Sequence, residues 1–124
     1  MKTIVVGYDG TEPADLALER AVELAKVFGS KLIVTSVAPV EDEVSRVEEL
    51  ERARALLQEK GLDVEYQPAI GEPADALVEV AERYGAELLV VGTRDPGAIQ
   101  RMLGQSVSQA VLRQARCNVL VVRR

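Results

Sequence analysis

The sequence contains no histidine and only one cysteine, and both scarcities restrict the chemistry that the chain can perform. Without histidine there is no imidazole acid–base catalysis, no Ser-His-Asp or Cys-His nucleophile, and no imidazole metal ligand. The single Cys117 cannot form an internal disulfide or supply a thiolate metal cluster, and we expect it to pack against its neighbours. We therefore assign no catalytic residue and no metal ligand.

Aromatic residues, basic clusters and long apolar runs are also scarce. The chain has three Tyr, one Phe and no Trp, its formal net charge is -5, and its pI is near 4.8. A protein without a basic patch interleaved with aromatics is not expected to bind nucleic acid. No apolar run approaches membrane-spanning length, and the opening MKTIVVGYDG lacks the features of a signal peptide. We expect a cytoplasmic protein with no membrane contact.

Short β-rich apolar runs without alternation are typical of parallel strands that are covered on both faces. Four such runs are present: Ile4 to Val6, Leu32 to Val34, Leu88 to Val91, and Val119 to Val122. Around Leu62, Val64 and Tyr66 apolar and polar residues alternate, which predicts a strand at an edge of the sheet. A length of 124 residues suits one domain, residues 1–124.

Helical patterns lie between the predicted strands. The first has an apolar stripe from Ala14 to Phe28 and ends at Gly29, and the second runs from about Glu43 to Lys60 with its charged face in solvent. The third opens at GEPAD and the fourth begins near Ser106. The residues that we expect the last three helices to bury are Val44, Val47, Leu50 and Leu57, then Leu77, Val78 and Ala81, then Val107, Ala110 and Val111.

The alternation of strands and helices predicts an α/β fold, with a doubly wound sheet of five parallel strands and helices on both faces. In such a sheet ligands bind beyond the carboxyl ends of the strands, where the strand order reverses. The turns after the first and fourth strands are therefore the candidate sites.

After the first strand comes Tyr8-Asp9-Gly10-Thr11. The Asp9 carboxylate at the strand tip can accept hydrogen bonds from a base or a ribose, or approach a hydrated metal ion. The alternative is that Asp9 and Thr11 only stabilise the turn and cap the following helix. The residues alone leave both roles open.

After the fourth strand comes VVGTRDPGAIQRMLGQSVSQAV, which is neither a Walker loop nor a GxGxxG turn. Ser106 at a helix start offers a hydroxyl and free backbone N–H groups to an anion, and Arg94 and Arg101 offer positive charge. The alternative is a long loop in which Ser106 is an ordinary N-cap and the two arginines are solvated.

Three blocks of the sequence resemble, in order and spacing, the universal stress protein family. They read IVVGYDGTEPADLALERAVELA, GEPADALVEVAERYGAELLVVGTR and SVSQAVLRQARCNVLVV, and they cover nearly the whole chain. The resemblance implies an adenine nucleotide alpha hydrolase-like fold with the parallel strands in order 3-2-1-4-5, usually as a homodimer. By the same resemblance Asp9 lies near adenine and ribose, Val37 lies near adenine, and Gly92, Ser106 and Val107 belong to the phosphate turn. We add Arg94 to the binding residues because of its positive charge.

Nucleotide-binding members of this family carry G-x2-G-x9-G-[ST] after the fourth strand. Gly92 and Ser106 fill the first and last positions, but Asp95 and Gln105 stand where the two middle glycines are expected. A side chain at such a position hinders close approach of the backbone to phosphate, and the Asp95 carboxylate repels a polyanion. Gly97 and Gly104 lie close by, so a shifted loop that restores the N–H cradle is the competing interpretation.

The resemblance therefore implies a small homodimeric stress-response module with a regulatory role, an unidentified protein partner, and a degenerate ATP site that is weak or absent. The alternative is a nucleotide-dependent switch that binds ATP with Mg2+ and hydrolyses it slowly, so that weak ATPase activity is the most that we expect. An adenylate-forming or pyrophosphatase-type enzyme is disfavoured, because no SGGxDS-like loop follows the first strand.

The last strand predicts a dimer on separate grounds. In the expected order, Val119 to Val122 is an apolar edge, and a two-fold related copy can pair with it strand against strand. The alternative is that Arg123 and Arg124 of the same chain cover this edge.

Overall fold

The computed structural model describes residues 1–38, 43–93 and 107–123. These residues form one five-stranded parallel sheet in the order β3-β2-β1-β4-β5, which confirms the predicted topology. The strands are β1 (Thr3–Gly7), β2 (Lys31–Ala38), β3 (Val64–Ile70), β4 (Leu88–Thr93) and β5 (Asn118–Arg123).

Helices cover both faces of the sheet, as predicted. They are α1 (Glu12–Phe28), α2 (Glu43–Leu57), α3 (Pro73–Arg83) and α4 (Val107–Gln114). Side chains of α1 and α2 pack on one face around Ile4 and Val6, and side chains of α3 and α4 pack on the other face around Val5. Consecutive residues of a strand thus enter opposite halves of the core, which explains the apolar runs without alternation.

Local sequence signals set the helix ends. Thr11 is the N-cap of α1, and Gly29 ends that helix with a left-handed φ of 64°. Pro73 occupies the first turn of α3, where a missing N–H is tolerated. The second helix ends at Leu57, earlier than the predicted Lys60, and Gly61 follows with a φ of 70°.

Three predicted core residues are exposed instead, namely Phe28 (49%), Val47 (55%) and Val107 (41%). Phe28 and Val107 are the last residue of α1 and the first residue of α4. Val47 lies at the margin of the stripe that α2 buries with Leu50, Ala53 and Leu57. The Val44 side chain lies outside the described part of the chain. Periodicity predicted the buried faces correctly but not how far along each helix the burial extends.

Within the sheet formed by the described residues, β3 and β5 are the edge strands, as the sequence predicts. A search of those residues for a helix long and apolar enough to cross a membrane finds none.

Candidate functional site

The strand order brings the tips of β1, β2 and β4 together at the carboxyl edge of the sheet. Gly7 of β1 is in register with Thr35 of β2, and Tyr8 N donates to the Thr35 carbonyl at 2.8 Å. On its other side β1 pairs with β4, and α4 follows β4 in the chain. Asp9, Val37 and Gly92 therefore lie at the same edge of the sheet. Because α4 runs antiparallel to β4, its first residue, Val107, also lies on this side.

Asp9 is exposed and holds the turn between β1 and α1. Its Oδ1 accepts hydrogen bonds from Thr11 N at 3.1 Å and from Thr11 Oγ1 at 2.5 Å. Thr11 Oγ1 in turn accepts from Ala14 N at 3.4 Å, and Gly10 adopts a left-handed φ of 77°. The turn-stabilising and capping roles predicted for Asp9 and Thr11 are therefore confirmed. The Asp9 carboxylate is also exposed to solvent and is therefore accessible to a ligand.

Three side chains, one directly after β1, one from α1 and one from α2, form a hydrogen-bonded triangle beside this turn. Tyr8 Oη donates to Asp15 Oδ1 at 2.5 Å, Arg52 Nε donates to Tyr8 Oη at 2.8 Å, and Arg52 Nη2 donates to Asp15 Oδ2 at 2.9 Å. We call this set, Tyr8, Asp15 and Arg52, the arginine triangle. It ties α2 to the end of β1 and to the first turn of α1.

The arginine triangle shifts the pKa values of its members. Burial, followed by the hydrogen bond to Asp15, raises the pKa of Tyr8 to about 12. Burial alone would raise the pKa of the Asp15 carboxyl, but the hydrogen bonds from Arg52 and Tyr8 outweigh it and lower that pKa. At neutral pH the triangle is therefore a neutral phenol between a carboxylate and a guanidinium.

A second link joins α2 to the tip of β2. Ser36 is buried, and its hydroxyl donates to Glu49 Oε2 at 2.5 Å. The Cγ of Glu49 lies 3.6 Å from the position that a Cβ on Gly10 would occupy. One helix thus contacts both the turn that carries Asp9 and the strand end that carries Val37.

Gly92 is explained by packing. A Cβ at this position would lie 2.3 Å from the carbonyl oxygen of Pro13 and 3.2 Å from Ala14 N. The first turn of α1 therefore approaches β4 so closely that only glycine fits. This requirement is independent of any role that Gly92 has toward phosphate.

Several predicted site positions lie outside the described residues. Arg94 and Ser106 are among them, as are the rest of the turn positions, Asp95, Gly97, Arg101, Gly104 and Gln105. Of the predicted site, the structure therefore describes Asp9, Val37, Gly92 and Val107.

The polar residues behind the site were not predicted from the sequence. The charged face of α2 was expected to lie in solvent, whereas Arg52 bonds to both Asp15 and Tyr8, and these two bond to each other. A signal was present, because Glu49 and Arg52 directly precede the buried Leu50 and Ala53 and therefore border the buried stripe.

Comparisons with known proteins agree with this fold. The model of the Universal stress protein family matches residues 1–123. The chain is 34% identical to a universal stress protein of Thermus aquaticus, over 98% of each chain, and 33% identical to one of Mycobacterium tuberculosis, over 98% of this chain and 95% of that one. A crystal structure of a universal stress protein in complex with cAMP is 31% identical, with a TM-score of 0.80, and covers 98% of this chain and 96% of its own.

Proposed function

Because the chain belongs to the universal stress protein family, we propose that it binds an adenine nucleotide at the carboxyl edge where β1, β2 and β4 end. The observation that carries the proposal is the meeting of Asp9, Val37 and Gly92 at one edge of the sheet, in a chain 31% identical to a family member that holds cAMP.

In this proposal each element of the edge has its own role. The exposed Asp9 carboxylate accepts hydrogen bonds from the ribose, and the backbone near Val37, at the end of β2, meets the base. Gly92 and the N-terminus of α4 at Val107 lie on the phosphate side, where backbone N–H groups and the helix dipole favour an anion. Arg94 and Ser106 belong to the same phosphate turn.

We further propose that a monophosphate binds better than ATP. A triphosphate needs a long backbone cradle, and Asp95 and Gln105 occupy two positions where nucleotide-binding family members carry glycine. The Asp95 carboxylate would also repel the β- and γ-phosphates of ATP. A monophosphate has neither, and the N-terminus of α4 alone can bind its single phosphate. Mg2+ would arrive only with a triphosphate.

The biological role that we propose is regulatory and not catalytic. The chain would act as a small cytoplasmic homodimer whose state is set by nucleotide occupancy, with β5 (Asn118–Arg123) pairing against its two-fold copy. The position of β5 at the edge of the sheet supports this pairing.

Isothermal titration calorimetry with AMP, cAMP and ATP, the last with and without Mg2+, tests the proposal. We expect AMP or cAMP to bind with a sub-millimolar Kd and ATP to bind about tenfold more weakly or worse. The double variant Asp95→Gly with Gln105→Gly should strengthen ATP binding and leave AMP binding unchanged.

The outcomes separate the two claims. If none of the three nucleotides binds the wild-type chain, the nucleotide site itself is wrong. Sub-millimolar ATP binding that is as tight as AMP binding would overturn the degenerate triphosphate turn and favour the ATP-dependent switch. Asp63→Asn is the control variant and should bind the nucleotides as wild type does. Its exposed carboxylate directly precedes β3, at the amino ends of the strands and away from the proposed site.

A further inference from the structure

Asp9 is held in place through a chain of contacts that begins on α2. Arg52 bonds to Tyr8, which directly precedes Asp9, and to Asp15 in the first turn of α1. Asp15 N donates to the Thr11 carbonyl at 2.9 Å, and Thr11 donates twice to Asp9 Oδ1. The turn that presents the Asp9 carboxylate is therefore fixed on both sides by residues that Arg52 contacts.

The exposure of Arg52 limits how much its ion pair with Asp15 contributes to stability. Its side chain is 55% exposed, and an ion pair with that much solvent around it adds little to stability. A guanidinium, however, is a planar fork that donates in two fixed directions at once. The same group thus fixes the relative positions of Tyr8 and Asp15 without contributing much to the free energy of unfolding.

We propose that Arg52 is a positioning residue for the nucleotide site, which sets the geometry of Asp9 through the arginine triangle. This inference rests on the proposed function and extends the site from the strand tips to α2. Arg52 itself does not touch the nucleotide, so its effect on affinity passes through Asp9.

A double-mutant cycle on AMP binding tests this pathway. The variants are Arg52→Met, Asp9→Asn and their combination, with the Kd measured by calorimetry and the melting temperature of each variant measured in parallel. We expect each single change to weaken AMP binding about tenfold. Because the two residues act on the same contact, the double variant should bind no more weakly than Asp9→Asn, within about twofold.

The chain offers a matched control on the same helix. Arg54→Met removes the same charge from a side chain that is 57% exposed, is paired with Glu51 and lies over the Tyr66 ring. Its AMP affinity should stay within about twofold of wild type. If Arg52→Met fails to fold, Arg52→Lys replaces it, because an ammonium keeps the charge but lacks the rigid planar fork that donates in two fixed directions.

The results distinguish the two proposals. Wild-type binding with an Arg52→Met affinity equal to that of Arg54→Met would overturn the positioning role alone, and so would losses that multiply in the double variant. A wild-type chain that binds no AMP would overturn the proposed function and the positioning role together.

Discussion

At the scale of single residues, Tyr8 shows how a polar group can be part of the core. The residue is buried, yet its hydroxyl both donates to Asp15 and accepts from Arg52. A buried hydroxyl without partners would cost free energy, and the two bonds remove that cost. Burial and the hydrogen bond to Asp15 favour the neutral phenol and raise its pKa, whereas the hydrogen bond from Arg52 acts in the opposite direction.

The raised pKa of Tyr8 predicts a pH dependence at the alkaline end. An unfolded tyrosine ionises near 10, and Tyr8 in the fold near 12, so its stabilising effect is complete below pH 10 and is lost as the pH rises toward 12. The loss amounts to about 2 to 3 kcal/mol in the free energy of unfolding. Denaturant unfolding at stepped pH values, compared between wild type and Tyr8→Phe, measures it.

Tyrosinate absorbance supplies an independent check. Subtracting the Tyr8→Phe titration from that of wild type should give a single transition near pH 12. A difference curve centred near pH 10 would mean that Tyr8 is not held as the structure describes.

At the scale of helices and strands, apolar runs predicted β1, β2, β4 and β5 because parallel strands are covered on both faces. Helix ends marked by glycine or proline were also predicted, as at Gly29 and Pro73. The length of each buried stripe was not predicted, because it depends on how far the helix and the sheet overlap. Phe28 illustrates this, because it is the last residue of α1 and is 49% exposed.

Close packing between α1 and β4 predicts that Gly92→Ala destabilises the fold severely. The new methyl would meet backbone atoms of Pro13, which cannot rotate away, and the expected loss in the free energy of unfolding is about 3 kcal/mol or more. Chemical denaturation provides the measurement.

Gly7→Ala is the matched control for this substitution. Its methyl would lie 3.1 Å from the side-chain carbons of Leu77, which can move, so we expect a loss of about 1 kcal/mol. Equal losses for the two variants would contradict the close approach of α1 to β4.

At the scale of the whole molecule, the edge position of β5 predicts a concentration-dependent dimer. Val121→Lys places a charge in the middle of this strand, a device that proteins use to block edge pairing. Analytical ultracentrifugation should find wild type as a dimer and Val121→Lys as a monomer, with circular dichroism to verify the fold.

Val27→Lys is the control, since Val27 is 75% exposed near the end of α1 and is not part of β5. This variant should remain dimeric. A wild-type chain that sediments as a monomer at high concentration, or a Val121→Lys variant that stays dimeric while folded, would exclude pairing through β5.

The packing of the whole molecule also determines which parts of the site can be predicted from the sequence. The convergence of Asp9, Val37 and Gly92 follows from a parallel strand order, which the sequence pattern and the resemblance predict. The arginine triangle does not follow from the strand order, because Arg52 and Tyr8 are separated by 44 positions and meet only once α2 packs on the sheet. Side-chain contacts of that range depend on helix placement, which periodicity leaves undetermined.

Amide chemical-shift mapping by NMR during a titration with AMP tests the nucleotide site most directly, because it reports binding and location together. We predict saturable shifts at Asp9, Gly10, Thr11, Val37, Gly92 and Val107, and none at Cys117 or Gly85 at the opposite edge of the sheet. Saturable shifts clustered around Cys117 and Gly85, or no shifts at millimolar AMP, would contradict a nucleotide site at the carboxyl edge.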